Sequence, residues 1–346
     1  MKQFLSYIHS FRAIAILFIV AGHSIFLFEW RQSPELQQLL RSVFQNGSVL
    51  FVFVAGFLFQ HLSRKFEYRR YLKSKLLNVV SPYLVVSVPM LAAQIATQRG
   101  TFDPSRSQEF PTLAHNIAWN LLTGNHVTPF WFIPMICVFY LLAPLLLWLD
   151  RDGRAYWLLP GLLLVTVLVH RPEQLSDIGH ACVYFLPVYL FGMACSKHRV
   201  RLLELVHRFL GPLTVLVLGL VVVEVFVLER GGALLSQGLF STENGVVDTN
   251  AIQKLLLCWV LMGWLDRFDK QVAPRIAFLA DLSFGLFFLH MIWIRIYTHT
   301  LLGDVFPAGS LLRYLALVAA VVALSVVVLV VAKKILGKRS RMVVGC

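Results

Sequence analysis

The chain has 346 residues, of which 58% are hydrophobic and 14% are charged, and its mean hydropathy is +0.72. A soluble domain is usually about half apolar and about a quarter charged, so this composition excludes a soluble globular protein and leaves no room for a sizeable separate soluble domain. The formal net charge of +13 would suggest nucleic acid in a soluble protein, but the positive-inside rule for membrane loops explains it here, and no nucleic-acid partner is expected. We therefore expect an all-α polytopic membrane protein with a single membrane-embedded domain over residues 1–346.

Ten stretches are apolar and have close to the roughly 20 residues that a helix needs to span a bilayer. They cover residues 10–30, 44–61, 79–98, 130–149, 155–171, 181–196, 209–228, 251–268, 276–297 and 310–333. Residues 112–125 are predicted to form a short interfacial helix. Roughly two thirds of the 31 Lys and Arg residues fall on one side of this arrangement, which predicts that both termini are cytoplasmic.

The first span carries two ionisable residues, Arg12 and His23, inside one apolar run. Their spacing of eleven residues places both side chains on one helix face, within about 20° of each other and about 16 Å apart along the axis. Ionisable groups inside a bilayer usually face the bundle interior, form pairs or take part in chemistry. The two residues therefore predict contacts with two parts of one long ligand.

The segment after the second span holds six cations and one anion between Arg64 and Lys75. Such a segment can bind phosphates through charge-assisted hydrogen bonds, and Arg69, Arg70, Lys73 and Lys75 are the candidate ligands. Setting the membrane topology and contacting anionic lipid headgroups are alternative roles for the same residues.

Single residues in other spans have structural or functional interpretations. In the second span, Ala55 and Gly56 are small enough to let another helix approach closely. Trp131 begins the fourth span at the outer interface, where it would join an aromatic belt or contact a substrate. Glu224, toward the outer end of the seventh span, would extend its side chain to the interface.

The ninth span carries Ser283 and His290, which are seven residues apart and therefore share one helix face. Asp281 lies nearly opposite His290, near the cytoplasmic end, where it would cap the helix or form a pair. A lone intramembrane histidine is explained by hydrogen bonding in the bundle, but a second one besides His23 favours a functional site. The five Cys and the other His residues show no disulfide framework or metal-ligand spacing, so neither a metal nor a bound cofactor is expected.

Taken in chain order, four segments resemble integral-membrane acyltransferase family 3, the bacterial O-acyltransferases that modify exported glycans. They are Arg12 with His23, Phe51-Val52-Phe53-Val54-Ala55-Gly56-Phe57, Trp131-Phe132-Ile133-Pro134, and the element from Ser283 to His290. The second segment has alanine where the family has serine. The chain also has Lys75 and Asn78 where the family often has two arginines, which would move the basic role to Arg69, Arg70 and Lys73.

The resemblance implies transfer of an acyl group, expected to be acetyl, from cytoplasmic acyl-CoA to a hydroxyl of a cell-surface or lipid-linked polysaccharide. The enzyme would lie in the bacterial inner membrane, among membrane lipids and partners of polysaccharide synthesis. His23 would act as general base or as transient acyl carrier, and His290 would orient His23 or contact the acceptor. Arg12 and the basic segment would bind the donor, with Trp131 and Ser283 as further substrate contacts.

Three alternatives stay open at this point. A transporter or flippase of a lipid-linked glycan also fits many spans with intramembrane charges, although it would not need histidine at position 23. The second alternative is an acyltransferase of the same class that transfers a succinyl group instead of an acetyl group. A membrane partner that assembles a polysaccharide synthase, without chemistry of its own, is the third.

Overall fold

The structure of the protein, a computed structural model, describes residues 4–106, 109–174, 176–239, 245–298 and 306–346. Over these residues the fold is almost entirely helical, as the composition predicts. The α-helices are α1 (Ser6–Ser24), α2 (Pro34–Phe44), α3 (Ser48–Leu62), α4 (Tyr68–Lys75), α5 (Ser81–Thr97), α6 (Leu113–Thr123), α7 (Phe132–Leu141), α8 (Ala143–Asp150), α9 (Leu159–Val169), α10 (Ile178–Lys197), α11 (Arg199–Val222), α12 (Thr249–Arg267), α13 (Asp269–Ile296), α14 (Leu311–Leu336) and α15 (Ser340–Val343). Two short strands, β1 (Arg171–Pro172) and β2 (Leu235–Ser236), pair in parallel and connect two of the loops.

Seven helical segments in the described ranges are long and apolar enough to cross a membrane, and two bent pairs raise this number to nine. The bends, of 71° and 93°, follow α6 and α8. The predicted eighth span forms α12, which is not among these segments because Asn250, Gln253 and Lys254 interrupt its apolar residues. The protein is thus an all-α membrane protein with seven to nine candidate spans, where the sequence predicted ten.

Helices α1 and α13 pack along each other and run parallel. Arg12 contacts Ser283 and His23 contacts His290, so residue numbers rise together along the two helices. Parallel packing is what the predicted first and ninth spans require, since both would cross the membrane in the same direction. This helix pair carries the four residues on which the site is built.

Helices α3 and α10 approach each other through one glycine from each helix. A Cβ atom on Gly56 would overlap the carbonyl oxygen of Tyr189, and one on Gly192 would overlap that of Phe53. Backbone contact of this kind requires residues without a side chain. The close approach predicted at Gly56 is confirmed, whereas the neighbouring Ala55 lines a cavity.

A π-helical turn over Leu76–Val80 joins α4 to α5 without a break. The turn adds one residue to the helical repeat and thereby changes which side chains face inward. Asn78 lies in this turn and Lys75 directly precedes it, and both half-buried side chains line a cavity that is described below.

Candidate active site

A cavity of about 690 Å³ lies around Arg12 and is called the basic cavity below. Nη2 of Arg12 donates to Oγ of Ser283 at 3.0 Å, and this hydroxyl donates in turn to the carbonyl oxygen of Ala280 at 2.8 Å. Asp281 also lines the cavity and pairs with Nε2 of His9 at 3.3 Å, which confirms one of its two expected roles. The fold therefore brings together Arg12 and Ser283, which the sequence predicts as substrate contacts.

Four cations line the basic cavity, namely Arg12, Lys75, Lys333 and Arg341. Asp281 is the one acidic side chain among the described residues that line it. A cavity with this excess of positive charge attracts a ligand with several negative charges, such as a polyphosphate. Lys333 and Arg341 contributed to the sequence-based predictions only through the charge balance, because nothing in the sequence indicates that residues of α14 and α15 line the same cavity as Arg12.

The helical repeat divides the predicted basic segment into two groups. Arg69, Arg70 and Lys73 are exposed and do not line the basic cavity. Lys75 and Asn78, which stand where the family often has two arginines, do line it. The cavity is thus lined by Lys75 and Asn78, and a role of the three exposed cations in donor binding stays a prediction.

The ammonium group of Lys75 is held against two aromatic rings. Its Nζ lies 5.1 Å from the ring centroid of Tyr71 and 4.7 Å from that of Tyr140. Such cation–π contacts stabilise a cation that has left bulk water without neutralising it. The charge of Lys75 therefore stays available to a ligand in the cavity.

A second cavity, of about 220 Å³, is lined by His23 and is called the histidine cavity below. The ring centroids of His23 and His290 are 5.4 Å apart, and the two rings are inclined by 35°. Nδ1 of the buried His290 donates to the carbonyl oxygen of Leu286 at 2.9 Å, so the neutral ring carries its proton there. Its Nε2 has no hydrogen-bond partner among the described residues, and neither ring nitrogen of His23 has one there.

Trp131 is only 3% exposed and lines the histidine cavity, so it lies inside the protein and not in an aromatic belt. Its ring stacks on that of Phe185 with a centroid distance of 5.2 Å. The guanidinium carbon of Arg171 lies over the Trp131 ring, 5.6 Å from its centroid. Arg171 was not predicted as a site residue, because a single arginine between two apolar stretches has the sequence pattern of any charged residue in a loop.

Aromatic rings separate the two cavities. Phe51 and Phe132 line both of them, and their ring centroids are 6.0 Å apart. Phe287 lies 6.4 Å from Phe51 and 5.5 Å from Phe132 and completes a cluster of three rings. Since Phe287 lies between Ser283 and His290 on α13, the basic cavity, the aromatic cluster and the histidine cavity follow one another along this helix.

Glu224 does not extend to the membrane interface as the sequence predicts, because it is only 1% exposed. It accepts hydrogen bonds from Oγ of Ser42 at 2.5 Å and from Nδ2 of Asn250 at 3.2 Å. Nζ of the fully buried Lys254 donates to the carbonyl oxygens of Ser42 at 2.7 Å and Val43 at 2.9 Å. The prediction is wrong because α2 and α12 supply the polar partners that it assigned to water. These contacts also hold the C-terminal end of α2, which leads into the wall of the histidine cavity.

The family model described as the acyltransferase domain of acyltransferase family 3 matches residues 5–330. Comparison with curated proteins and with solved structures gave no match. The matched range contains the helices α1 and α13 and all four segments on which the resemblance rests. The chain therefore belongs to the integral-membrane acyltransferase family 3.

Proposed function

We propose that the protein transfers an acyl group, expected to be acetyl, from cytoplasmic acyl-CoA to a hydroxyl of a cell-surface or lipid-linked polysaccharide. Its place would be the bacterial inner membrane, with both termini in the cytoplasm. One observation carries the proposal: a cavity lined by four cations, and a second cavity lined by His23 with His290 packed against its ring, lie along one parallel helix pair of a family acyltransferase. The first suits a phosphate-rich donor, and the second suits acid–base or nucleophilic chemistry.

The donor would lie along α1 with its phosphates in the basic cavity. Arg12 can present a guanidinium to a phosphate in a two-point contact, while Lys75 acts as a point charge. The axial separation of about 16 Å between Arg12 and His23 suits an extended pantetheine arm between phosphates and thioester. In this pose the basic cavity opens toward the cytoplasm, where acyl-CoA is available, and the exposed cations of α4 lie at its approach.

The acceptor would enter the histidine cavity from the opposite end. Ser48 and Asn46 line this cavity, and Oγ of Ser48 and Oδ1 of Asn46 lack a hydrogen-bond partner among the described residues. Hydroxyl and amide groups of this kind match the hydroxyls of a sugar. The partners of polysaccharide synthesis that we expect would supply this acceptor.

In the general-base route, a ring nitrogen of His23 takes the proton from the acceptor hydroxyl while its oxygen attacks the thioester carbonyl. The C–O bond forms, the C–S bond breaks, and the imidazolium returns the proton to the leaving thiolate. The products are an ester of the glycan and free CoA. This route requires a ring nitrogen of His23 that can accept a proton, and neither nitrogen has a hydrogen-bond partner in the described part of the chain.

In the covalent route, a ring nitrogen of His23 itself attacks the thioester carbonyl; the C–N bond forms, the C–S bond breaks, and CoA leaves as the thiol with the proton that the imidazole gives up. The glycan hydroxyl then attacks the acyl-imidazole, so that the C–O bond forms, the C–N bond breaks, and the hydroxyl proton returns to the imidazole. In both routes His290 is placed to orient His23 or to contact the acceptor. Its Nδ1 is fixed by Leu286, so Nε2 is the atom that is directed to this task. The two routes differ in whether label from the donor becomes attached to the protein.

The test uses the purified protein in nanodiscs with radiolabelled acetyl-CoA and a cell-envelope glycan fraction as acceptor. We expect label in the glycan, lost in His23→Ala, and acetyl-CoA binding that is kept in His23→Ala but weakened in Arg12→Ala. Label on wild-type protein that a glycan removes would favour the covalent route. If succinyl-CoA displaces the labelled acetyl-CoA better than unlabelled acetyl-CoA does, the transferred group is succinyl and not acetyl. Neither donor binding nor transfer by well-folded protein would overturn the proposal in favour of glycan transport.

A further inference from the structure

Arg171 is held at the wall of the histidine cavity by β1. The backbone N–H of Arg171 donates to the carbonyl oxygen of Leu234 at 3.0 Å, and Arg171 lies opposite Leu235 in the parallel pair of β1 and β2. Its guanidinium lies over the ring of Trp131. Trp131 is itself clamped by stacking on Phe185, so two independent contacts fix the arginine beside His23.

The charge of Arg171 has no counter-ion within the described ranges. No carboxylate oxygen there lies within 4.0 Å of its guanidinium, and its buried Nε has no hydrogen-bond partner. Burial lowers the pKa of this guanidinium, an effect that nearby Tyr184 and Asp248 oppose, but arginine stays charged in proteins. A shielded cation without a partner is costly, and an anion bound in the cavity would offset that cost.

Glu173 is the acidic side chain that shares this cavity among the described lining residues, and it is exposed. It does not approach Arg171 closely enough to pair, so it does not take the place of a ligand. The cavity thus has a half-buried cation, Arg171, in its lining together with His23, and an exposed negative residue, Glu173. This arrangement of charges favours a ligand whose anionic group lies at Arg171, next to His23.

We propose that Arg171 binds a carboxylate or phosphate group of the acceptor, so that the acceptor is an anionic glycan whose hydroxyl is presented to His23. This inference rests on the proposed function, because it assumes that the acceptor occupies the histidine cavity. A planar guanidinium makes two parallel hydrogen bonds to a carboxylate or a phosphate, which fixes orientation as well as position. In this assignment Trp131 is a positioning residue that holds Arg171, and the acidic group of the sugar sets which hydroxyl reaches the imidazole.

The binding experiment titrates the purified protein in nanodiscs with three probes by calorimetry. They are methyl glucuronide for the carboxylate, glucose 1-phosphate for the phosphate, and methyl glucoside as the neutral control. We expect at least one anion to bind more tightly than the neutral sugar, and Arg171→Met to weaken that anion by about tenfold or more. Arg171→Lys keeps the charge without the planar fork and should lie between the two. Arg31→Met is the matched control, because Arg31 is 87% exposed and already pairs with Glu29.

The outcomes separate the ligand classes. Tighter binding of the glucuronide assigns an acidic sugar, and tighter binding of the phosphate assigns a phosphate-bearing glycan or lipid-linked glycan. Equal affinity of the neutral and anionic probes for wild-type protein overturns the proposal without any variant. An Arg171→Met protein that unfolds at the wild-type temperature and binds the anion equally well overturns it too.

The donor supplies the measurement that separates this inference from the proposed function. If anion binding depends on Arg171 but the protein neither binds acetyl-CoA nor transfers acetyl, the anion site stands and acyl transfer fails. If acetyl is transferred to neutral and acidic glycans alike, with the same KM in Arg171→Met, acyl transfer stands and the anionic acceptor fails.

Discussion

The imidazole rings of His23 and His290 lie 5.4 Å apart between centroids, although they come from the first and the thirteenth helix. Nδ1 of His290 is bonded to Leu286, and its Nε2 has no hydrogen-bond partner among the residues that the structure describes. His290 is therefore the fixed ring of the pair. His23, which has no hydrogen bond among the described residues, is the ring that can move a proton or carry an acyl group.

Removing either ring should separate chemistry from donor binding. We expect His23→Gln to lower the rate of acetyl transfer by about 10²–10⁴-fold, since that is the usual contribution of a general acid or base, while acetyl-CoA binding stays unchanged. His290→Phe keeps the ring but not Nε2 and should lower the rate by a smaller factor. The exposed His115→Gln is the control for both. Full activity of His23→Gln in a transfer assay would remove His23 from the reaction.

The donor-binding role of the basic cavity can be tested with charge-removing variants. Arg12→Met should weaken acetyl-CoA binding by about tenfold or more, since charge-assisted hydrogen bonds contribute about 1.5–3 kcal/mol. Arg69→Met and Arg70→Met, on the exposed face of α4, should weaken binding much less and mainly at low salt, because exposed charges are screened. Equilibrium binding at two salt concentrations measures both effects. Equal losses in all three variants would place the phosphates outside the cavity.

The aromatic cluster between the cavities should limit the size of the acyl group. Phe51 lines both cavities, so Phe51→Ala would widen the passage and raise the rate with butyryl-CoA relative to acetyl-CoA. Phe51→Trp should slow acetyl transfer more than it weakens CoA binding, because the added ring volume lies where the two cavities meet and removes none of the four cations of the basic cavity. Initial rates with the two donors give the ratio. Phe226→Ala, at a side chain that is 65% exposed, should leave this ratio unchanged.

The contact between α3 and α10 should not tolerate a methyl group. Gly56→Ala and Gly192→Ala each place a Cβ on a backbone carbonyl of the other helix and should cost about 1–3 kcal/mol, as overpacked cores do. Gly211→Ala and Gly219→Ala meet nothing within 4 Å and should be neutral or stabilising by up to about 1 kcal/mol from helix propensity. Thermal unfolding in one detergent compares the four variants. A similar midpoint for all of them would contradict the packing.

Lys254 should act on stability through the end of α2. Lys254→Met leaves the carbonyl oxygen of Val43 without this donor, whereas that of Ser42 keeps the hydrogen bond from Asn250, and an unsatisfied buried polar group costs about 1–3 kcal/mol. The exposed Lys270→Met should stay within about 0.5 kcal/mol of wild type. Thermal unfolding measures the difference. An unchanged midpoint in Lys254→Met would show that the Val43 carbonyl does not depend on this donor.

Periodicity alone indicates which residues of one helix share a face, and it did so for Arg12 with His23 and for Ser283 with His290. Which residues share a helix face follows from the repeat of 3.6 residues and needs no knowledge of the fold. The same reasoning fails for Glu224, because a carboxylate near a span end has the same sequence pattern whether water or a neighbouring helix satisfies it.

The sequence by itself determined the all-α membrane class, the family and the two ionisable residues of α1. Tertiary structure alone decided that α13 runs beside α1, that Lys333 and Arg341 join the basic cavity, and that Arg171 lies over Trp131. The physical reason is that helix–helix packing depends on side-chain shape and on close approach at glycines such as Gly56, and these specify partners only when both surfaces are known. A cation and its aromatic or anionic partner therefore come together through packing between distant segments, which local pattern does not encode.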